Sequence, residues 1–242
     1  MRLRIEMTTN ASELRWPEVL RPGRSLVYEL LSRGAPGLGE KLHAAGLGRY
    51  QMAPFGHGAP SFPSASRRRG AFAVGGHGVV EIGSPVEEII DGWVRGLAGR
   101  DLIDWGGAAF RIVNASLIEP PSFAEGRARL RTTTPVVMKG SGRDDRGTRT
   151  TRQAWVLPGE PEFAPFFSGN LRRKAETLGL DPDVELEAVT WVGPKRSFAV
   201  SGGSKPGAAV EAELRGAPGT LRAIWSWGLG QANSAGFGWV AA

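Results

Sequence analysis

The 242-residue chain is long enough for one large domain or two small ones, and it contains no cysteine, which excludes disulfides, thiolate metal sites and cysteine nucleophiles. Thirty lysine and arginine residues against 24 aspartate and glutamate residues give a formal charge of +6, which favours an anionic partner. No apolar run is long enough to cross a bilayer, and Arg2, Arg4 and Glu6 interrupt any signal peptide, so we expect a soluble cytoplasmic protein.

The N-terminal part of the chain predicts a strand, a broken helix and two further strands. Residues 2–7 alternate as a strand does, and residues 25–45 carry an apolar stripe at helical spacing that breaks near Pro36. Two short strands follow at 71–74 and 79–82. The glycine-rich segment between these two strands predicts a tight hairpin turn.

The best-defined predicted element is a helix that begins near Ser84. Ser84 has the chemistry of an N-cap, a proline follows it, and Glu87 completes a capping box. Apolar residues then recur at helical spacing over 86–97 and predict a buried face. A strand at 110–118 ends this half of the chain, and the two prolines at 120–121 mark a boundary.

The second half of the chain predicts the same order of elements with insertions. The predicted elements are a strand at 127–138, an arginine-rich loop at 139–152, a helix at 163–178, strands at 184–191, 195–200 and 209–215, a short helix at 221–227, and a last strand at 237–240.

The order strand-helix-strand-strand-helix-strand is that of the ferredoxin-like fold. Two copies of it fit the length of the chain at about 120 residues each. The predicted fold class is therefore α+β, with two tandem ferredoxin-like (RRM-like) βαββαβ domains at residues 1–120 and 121–242.

One basic segment accounts for the whole charge excess of the chain. Residues 127–152 contain eight lysines and arginines and only two acids, Asp144 and Asp145. Arg127, Arg129 and Arg131 alternate with Ala128 and Leu130, so a strand would place the three guanidinium groups on one face. Such a row suits a nucleic-acid backbone, although an ordinary solvated strand face is the alternative.

A glycine-rich segment near the C-terminus is the most distinctive motif of the sequence. Two triplets, Gly228-Leu229-Gly230 and Gly236-Phe237-Gly238, flank five small or polar residues. Glycines at this density allow a close approach of two backbones and can point amide groups at an anion. A tight helix-to-strand connection without a ligand is the alternative interpretation.

This glycine pattern resembles the signature of the repeat-associated mysterious protein (RAMP) superfamily of CRISPR systems. Within that superfamily the chain resembles the pre-crRNA processing endoribonucleases, the sixth Cas family. Three further segments resemble the same family: Leu42-His43 with a downstream phenylalanine, the Thr134-Pro135 strand start, and Pro194-Lys195-Arg196.

The resemblance implies a double ferredoxin-like fold, a guide-RNA precursor as substrate and cleavage without metal. A ribose 2′-hydroxyl would attack the adjacent phosphorus and leave a 2′,3′-cyclic phosphate and a 5′-hydroxyl. The protein would supply alignment, proton transfer and charge stabilisation. No cofactor is expected, because the three histidines lack metal-ligand spacing and the paired acids have local explanations.

His43 is the candidate for proton transfer, since its spacing from Tyr28 is similar to that of a tyrosine–histidine pair in some family members. Gly46 predicts the end of the helix, which places His43 in the last turn, where the helix dipole favours a positive charge. General acid and general base are both open roles. A half-buried packing residue is the alternative interpretation for a lone histidine on an amphipathic helix.

Two further residues complete the predicted catalytic group. Tyr28 could position the scissile phosphate or the 2′-hydroxyl, or it could be a core residue with a wet hydroxyl. Several relatives carry a lysine shortly after the histidine, and this chain departs from that pattern. Arg49 is the nearest following base and could stabilise the phosphorane. His57 could substitute for His43 if the match is shifted, and His77 is interpreted as a turn residue.

The predicted RNA-binding residues come from three segments of the chain. They are Lys195, Arg196, Gly228, Gly230, Gln231, Asn233, Ser234, Gly236, Gly238, Arg127, Arg129 and Arg131. A solvated surface is the expectation for Arg67–Arg69.

Two other functions remain possible from the sequence. The first is a catalytically silent RNA-binding subunit of a CRISPR effector complex, in which His43 would be incidental. The second is a nucleotide-binding enzyme with the glycine loop as a phosphate cradle, which is weakened by the absence of a GxxxxGK[ST] motif. The expected partners are CRISPR repeat RNA, with effector subunits or a second copy of the chain as further possibilities.

Overall fold

The structure is a computed structural model that describes residues 1–66, 70–140, 155–200 and 203–241. The elements of the first lobe, in chain order, are strands β1 (Arg2–Thr9) and β2 (Glu13–Arg15), helices α1 (Arg21–Gly34) and α2 (Pro36–Ala44), strands β3 (Gly56–His57), β4 (Ala71–Ala73) and β5 (Gly76–Gly83), helix α3 (Glu87–Leu97), and strands β6 (Leu102–Trp105) and β7 (Ala108–Ile118). A 3₁₀ turn at Trp16–Glu18 precedes α1.

The first lobe is built on one antiparallel sheet with the strand order β3-β5-β1-β7-β6. The first four of these strands have the order of a ferredoxin-like sheet, and β6 adds an edge strand beside β7. Helices α1 and α3 pack together over the sheet, and their apolar faces form a core with the alternating residues of β1. They approach closely because Gly96 lies against α1, where a Cβ atom would come 2.0 Å from the Leu30 carbonyl oxygen.

Two predictions for this lobe were wrong in detail. The strands near 71–74 and 79–82 do not pair with each other, because β4 pairs with β2 and β5 pairs with β1 and β3. The capping box is also absent: α3 begins at Glu87, and the Ser84 hydroxyl instead donates to the Pro54 carbonyl and accepts from the Val86 amide. The predicted helix break at Pro36 is confirmed.

The elements of the second lobe are strands β8 (Arg127–Arg131), β9 (Met138–Lys139) and β10 (Trp155–Val156), helix α4 (Phe163–Thr177), strands β11 (Glu185–Val192), β12 (Arg196–Val200), β13 (Gly203–Gly207) and β14 (Val210–Arg215), and helix α5 (Pro218–Trp227). A 3₁₀ turn at Asn233–Ala235 follows α5.

The central sheet of the second lobe has the order β11-β14-β8, and its inner face packs against α4 and α5. The predicted last strand at 237–240 is reduced to one bridge, between Val240 and Thr132, on the free side of β8. This bridge supplies the fourth position of a second ferredoxin-like sheet. The chain therefore has the two tandem ferredoxin-like lobes predicted from its sequence. The boundary at residues 120–121 stays a prediction.

Arg2 joins the two lobes. Its buried guanidinium lies between two indole rings of the second lobe, 3.6 Å from the centroid of Trp225 and 4.1 Å from that of Trp239. It donates hydrogen bonds to the carbonyls of Trp225 and Val240, and it lies 3.5 Å from the Glu81 carboxylate. Burial lowers the pKa of Arg2 to about 9, which leaves the group charged at neutral pH. Cation–aromatic contacts of a desolvated guanidinium are among the stronger ones in proteins.

None of the helices within the described ranges combines the length and the apolar character needed to span a bilayer.

Candidate active site and glycine-rich loop

Tyr28 and His43 meet edge to face between α1 and α2. Their ring centroids are 5.1 Å apart at an interplanar angle of 87°, and Tyr28 also packs against the buried Phe55. The break at Pro36 produces this contact, because it starts a second helix that brings His43 back beside α1. Tyr28 is half-buried and His43 is exposed. Burial raises the pKa of the Tyr28 phenol, so its hydroxyl remains a hydrogen-bond donor at neutral pH.

His43 lies in the last turn of α2, and this helix ends where the sequence predicts. Gly46 has a φ of +66°, and its amide donates to the Leu42 carbonyl. This is the arrangement of a helix that ends on a left-handed glycine. The imidazole is therefore held at the negative end of the helix dipole and faces solvent.

The Tyr28–His43 pair opens onto a pocket of about 500 Å³. Its lining residues are Arg24, Ser25, Tyr28, Ser32, Pro36, Gly39, Glu40 and His43. The pocket is the place where a phosphodiester could approach the imidazole.

Arg24 is the cation of this pocket, and it was missed from the sequence. Its guanidinium lies 5.6 Å from the centroid of the Tyr28 ring. No carboxylate in the described part of the chain forms an ion pair with it within 4.0 Å. Arg24 lies one residue before the helix predicted at 25–45, and in the structure α1 begins earlier, at Arg21, which brings Arg24 one turn before Tyr28.

Arg49 is not among the residues that line this pocket, and its predicted role at the phosphorane stays a prediction. It donates to the Glu176 carboxylate at 2.6 Å and to the Tyr50 hydroxyl at 2.6 Å, and Tyr50 in turn donates to Glu176. These hydrogen bonds raise the pKa of Arg49 and lower that of Glu176. Because Glu176 lies on α4, Arg49 connects the loop after α2 to the second lobe and has its charge neutralised there.

His57 cannot substitute for His43, because its side chain is sealed inside the protein. It is completely buried, its Nδ1 lies 3.1 Å from the Gly58 carbonyl oxygen, and its Nε2 has no hydrogen-bond partner among the described residues. Burial lowers the pKa of His57 to about 4, so the ring is neutral at pH 7. It packs between two glycines, Gly23 of α1 and Gly236 of the glycine-rich loop. His77 lies exposed at the start of β5, near the turn predicted for it.

Most of the backbone amides of the glycine-rich loop, residues 228–238, are used within the protein. Amides of the two glycine triplets donate to carbonyls of the chain: Gly228 to Ile224, Leu229 to Gly238, Gly236 to Asn233, and Gly238 to Pro135. Gln231 donates to Val137 in the same way, while its side-chain oxygen accepts from the Lys139 amide. These amides therefore cannot also bind an anion, whereas the backbone amides of Gly230, Ala232, Asn233 and Ser234 donate to no carbonyl among the described residues. An anion cradle in this loop, one expectation from the sequence, stays a prediction for those four amides.

The reason for glycine in this loop is close backbone packing. Gly238 has a φ of +66°, and a Cβ atom there would come 1.8 Å from the Leu229 carbonyl oxygen. Gly230 has a φ of +67°, and a Cβ there would come 2.7 Å from Val136. Both positions therefore require a residue without a side chain.

Asn233 and Lys174 hold the loop from inside. The Asn233 amide donates to the carbonyls of Leu229 and Phe237, and its oxygen accepts from the Lys174 ammonium. Since all these atoms are buried, Asn233 braces the loop and does not face a ligand, which corrects its prediction as a direct RNA contact. Gln231 and Ser234 are half-exposed, and the Ser234 hydroxyl makes no hydrogen bond within the described residues.

The row of Arg127, Arg129 and Arg131 lies on one exposed face of β8, as predicted, with Ala128 and Leu130 buried. Acids of the neighbouring strands neutralise this face. The ion pairs are Arg127–Glu187, Arg129–Glu211, Arg131–Glu211, Arg215–Glu185 and Arg215–Glu187. The three guanidinium groups therefore share their face with carboxylates, while the arginine-rich loop that also supported the RNA-binding prediction lies outside the described residues. RNA binding by this row stays a prediction.

Lys195 and Arg196 are exposed at the start of the β12–β13 hairpin. The Arg196 guanidinium lies 4.7 Å from the centroid of the Trp16 ring, which belongs to the first lobe. The hairpin thus carries basic residues over the seam between the lobes. The arginines at 143, 146, 149 and 152, the acids at 144 and 145, and Arg67–Arg69 lie outside the described residues.

Comparisons with known proteins agree with this architecture. The family profile described as CRISPR associated protein Cas6, C-terminal, matches residues 118–242, just over half of the chain. No curated protein matches the sequence.

Three solved structures share the fold at low sequence identity. A CRISPR associated protein Cas6 is 20% identical with a TM-score of 0.78, covering 100% of this chain and 98% of that chain. The product of a Cas6-related gene from Pyrococcus furiosus is 15% identical with a TM-score of 0.78, covering 100% and 97%. A RAMP protein that binds different RNA substrates is 15% identical with a TM-score of 0.82, covering 99% and 98%.

The profile match over half of the sequence, together with the shared two-lobed fold, shows that this chain belongs to the Cas6 family of CRISPR-associated, RAMP-like proteins.

Proposed function

We propose that this chain is a metal-independent endoribonuclease that cleaves CRISPR repeat RNA. Members of the Cas6 family generally process precursor CRISPR RNA. The observation that carries the proposal is the Tyr28–His43 pair at the mouth of an open pocket that also contains Arg24. A general acid or base, a neutral hydroxyl donor and a cation thus face one space large enough for a phosphodiester.

The proposed reaction needs no group beyond these side chains and the substrate. The ribose 2′-oxygen bonds to the adjacent phosphorus and loses its proton, and the bond from phosphorus to the 5′-oxygen breaks. The departing oxygen takes up a proton. The products are a 2′,3′-cyclic phosphate and a 5′-hydroxyl, so the reaction is a transesterification in which water takes no part.

His43 is assigned the proton transfer, because its imidazole is the only titratable ring of the pocket besides the Tyr28 phenol. As a general acid it would protonate the leaving 5′-oxygen, and as a general base it would take the 2′-hydroxyl proton. Its place at the end of α2, where the helix dipole attracts positive charge, is the reason to prefer the general acid in this proposal.

Tyr28 and Arg24 are assigned to the phosphate. The Tyr28 hydroxyl would donate a hydrogen bond to a non-bridging oxygen and hold the phosphorus in line with the attacking oxygen. The Arg24 guanidinium would neutralise the charge that grows on the phosphorane. In this proposal Arg24 takes the role predicted for Arg49, whose guanidinium is bound to Glu176.

The glycine-rich loop supports the proposal through its position next to α1. Gly236 packs on one side of the His57 ring and Gly23 of α1 packs on the other. Arg24 follows Gly23 directly, and Tyr28 lies one turn further along the helix. In this proposal the RNA lies along the half-exposed Gln231 and Ser234 and continues to the pocket.

A test of this function uses the repeat RNA of the chain's own genome in buffer with excess EDTA. We expect cleavage at one position, with a 2′,3′-cyclic phosphate on the upstream fragment and a 5′-hydroxyl on the downstream one. A substrate with a 2′-deoxyribose at that position should stay intact. Cleavage only with a divalent cation, or a 5′-phosphate on the product, contradicts the mechanism.

A catalytically silent RNA-binding subunit is the second candidate function. The ion pair between Arg49 and Glu176 favours this candidate. Because Arg49 is held there, no base that follows His43 closely in the sequence lines the pocket, and Arg24 is the cation that does. This candidate predicts that the protein retards the repeat RNA in a gel without cleaving it. Association with effector subunits or with a second copy of the chain belongs to the same proposal and is measured by size-exclusion chromatography with light scattering.

A further inference from the structure

Two tryptophans lie on either side of the β12–β13 hairpin, one from each lobe, and each is covered by a basic residue of that hairpin. Arg196 lies 4.7 Å from the centroid of Trp16 in the first lobe. The Lys205 ammonium lies 5.0 Å from the centroid of Trp155 in the second lobe. Nothing in the proposed cleavage step uses these two pairs.

We propose that Trp16 and Trp155, with Arg196 and Lys205, form a stacking surface for unpaired bases, and that the chain therefore binds its repeat RNA as a single strand across the seam between the lobes. This inference rests on the proposed function, in which RNA is the substrate. It adds that the protein recognises this RNA in its single-stranded form.

The register of the hairpin places both basic residues on the same face. Phe198 pairs with Lys205 across the two strands, and Arg196 lies two positions before Phe198, so their side chains share a side. Phe198 is buried on that side and anchors the hairpin. Trp16 packs against Phe198 with their centroids 5.9 Å apart, and both tryptophans are half-buried against the same small cluster. The indoles are therefore held in fixed positions with part of their surface open.

Charge distinguishes this surface from the arginine row on β8. Arg127, Arg129 and Arg131 each form an ion pair with a carboxylate. Within the described ranges, Arg196 and Lys205 have no such partner, nor have their neighbours Lys139 and Lys195. Partial burial lowers the pKa of Lys205, and the like charge of Lys139 lowers it further. Unneutralised positive charge of this kind attracts a phosphate backbone.

Fixed aromatic rings beside unpaired cations are the two components by which proteins bind single-stranded nucleic acids. A base can stack on an indole or on a guanidinium plane only when its face is free, which requires an unpaired nucleotide. The interior base pairs of a duplex present no such face. The surface therefore selects a single strand, and the half-exposed Gln231 and Ser234 of the glycine-rich loop lie next to it along the seam.

The test compares two forms of the same repeat oligonucleotide, one free and one annealed to its complement. Both carry 2′-O-methyl groups, so that they cannot be cleaved by 2′-hydroxyl attack, and their affinities are measured by fluorescence anisotropy. Trp16→Leu and Trp155→Leu should each weaken single-strand binding by about 5- to 150-fold and leave duplex binding unchanged. Trp191→Leu is the matched control, because Trp191 is also covered by an arginine, Arg131, but on the neutralised face.

A second measurement uses the unmodified protein and is independent of the folding of any variant. Repeat RNA that contains 4-thiouridine is cross-linked by ultraviolet light, and the modified peptides are identified by mass spectrometry. Cross-links to the peptides that contain Trp16 or Trp155 support the proposal.

The proposal is overturned if both leucine variants keep single-strand affinity, if both RNA forms lose affinity by the same factor, or if all cross-links lie elsewhere. A wild-type protein that binds duplex and single-stranded RNA with equal affinity also overturns it. Parallel cleavage assays distinguish a failure of the stacking surface from a failure of the proposed endoribonuclease function. If the wild-type protein cleaves the repeat RNA but the leucine variants bind single strands normally, only the stacking surface is refuted. A wild-type protein that neither binds nor cleaves either RNA form refutes the proposed function.

Discussion

The buried ammonium of Lys174 lies 2.7 Å from the side-chain oxygen of Asn233, in the middle of the glycine-rich loop. The same ammonium donates to the Gly228 carbonyl at 2.5 Å. Asn233 then donates to the carbonyls of Leu229 and Phe237, which lie on either side of it in the loop. One side chain from α4 and one from the loop thus connect both glycine triplets. The loop is held in its conformation by the protein itself.

Replacement of Lys174 by methionine should destabilise the protein. Desolvation by burial lowers the pKa of Lys174 well below its usual value, yet its hydrogen bonds satisfy two buried acceptors. Methionine fills a similar volume and leaves both acceptors without a donor. Each unsatisfied acceptor should lower the free energy of unfolding by about 1–3 kcal/mol. Urea denaturation followed by tryptophan fluorescence measures this loss.

Arg172→Met is the control for that measurement, because Arg172 lies exposed on the same helix. Its free energy of unfolding should stay within about 0.5 kcal/mol of the wild type. Equal stability of the Lys174→Met protein and this control would show that the loop does not depend on the buried ammonium.

Replacement of Arg2 by lysine should weaken the junction between the lobes. A lysine carries the same charge, but it cannot lie flat between Trp225 and Trp239 while donating to two carbonyls. The loss of a charge-assisted hydrogen bond costs about 1.5–3 kcal/mol, and this should appear in urea denaturation. Arg4→Lys on the same strand, where the side chain is 40% exposed, should change stability little. An equal effect of the two substitutions contradicts the special role of Arg2.

His57 should make the stability of the protein depend on pH in the acid range. Its pKa is about 4 in the folded chain and 6.5 in the unfolded chain. Below pH 6.5 the unfolded chain therefore binds a proton that the folded chain does not, and the free energy of unfolding falls as the pH drops. This contribution reaches about 3 kcal/mol by pH 4.

The dependence is isolated by comparison of two variants. His57→Leu should flatten the decrease between pH 6.5 and 4 relative to the wild type, whereas His77→Gln at an exposed position should leave it unchanged. The measurement is the urea midpoint at several pH values. A His57→Leu protein with the wild-type pH dependence would mean that His57 takes up its proton while the protein is folded.

Arg24 and Arg49 should differ sharply in their effect on cleavage. Arg24→Gln removes the cation of the pocket, and single-turnover cleavage should slow by about 100- to 1,000-fold. Arg49→Gln removes a contact with Glu176 outside the pocket, and cleavage should change by less than about threefold. The reverse order would restore Arg49 to the role predicted from the sequence.

The features that could be predicted from the sequence are helix boundaries and buried helix faces, which depend on residues close together along the chain. The break at Pro36 and the helix end at Gly46 follow from the backbone preferences of proline and glycine, which act within a few residues. The helix end at Gly46 placed His43 correctly in the last turn of α2, whereas its contact with Tyr28 is a finding of the structure. The apolar periodicity of α3 predicted its buried face correctly for the same reason, except at Val94, which is 42% exposed.

Features that depend on distant residues were not predictable from local patterns. Arg2 resembles the surface residue of an alternating strand, and its burial follows from Trp225 and Trp239, more than 220 positions away. Arg129 forms an ion pair with Glu211, which is distant in the sequence and lies beside it only because β8 pairs with β14. Strand β3 has only two residues, too few to produce a periodicity.

The central claim is that His43 transfers a proton in RNA cleavage, and one single-turnover experiment tests it most directly. His43→Ala should cleave repeat RNA about 100- to 10,000-fold more slowly than the wild type and bind it with unchanged affinity, while Lys41→Ala on the same helix turn cleaves normally. A substrate with sulfur in place of the bridging 5′-oxygen needs no protonation of its leaving group, so it should restore the rate of His43→Ala if the imidazole is the general acid. A His43→Ala protein that cleaves ordinary repeat RNA at the wild-type rate would contradict the account.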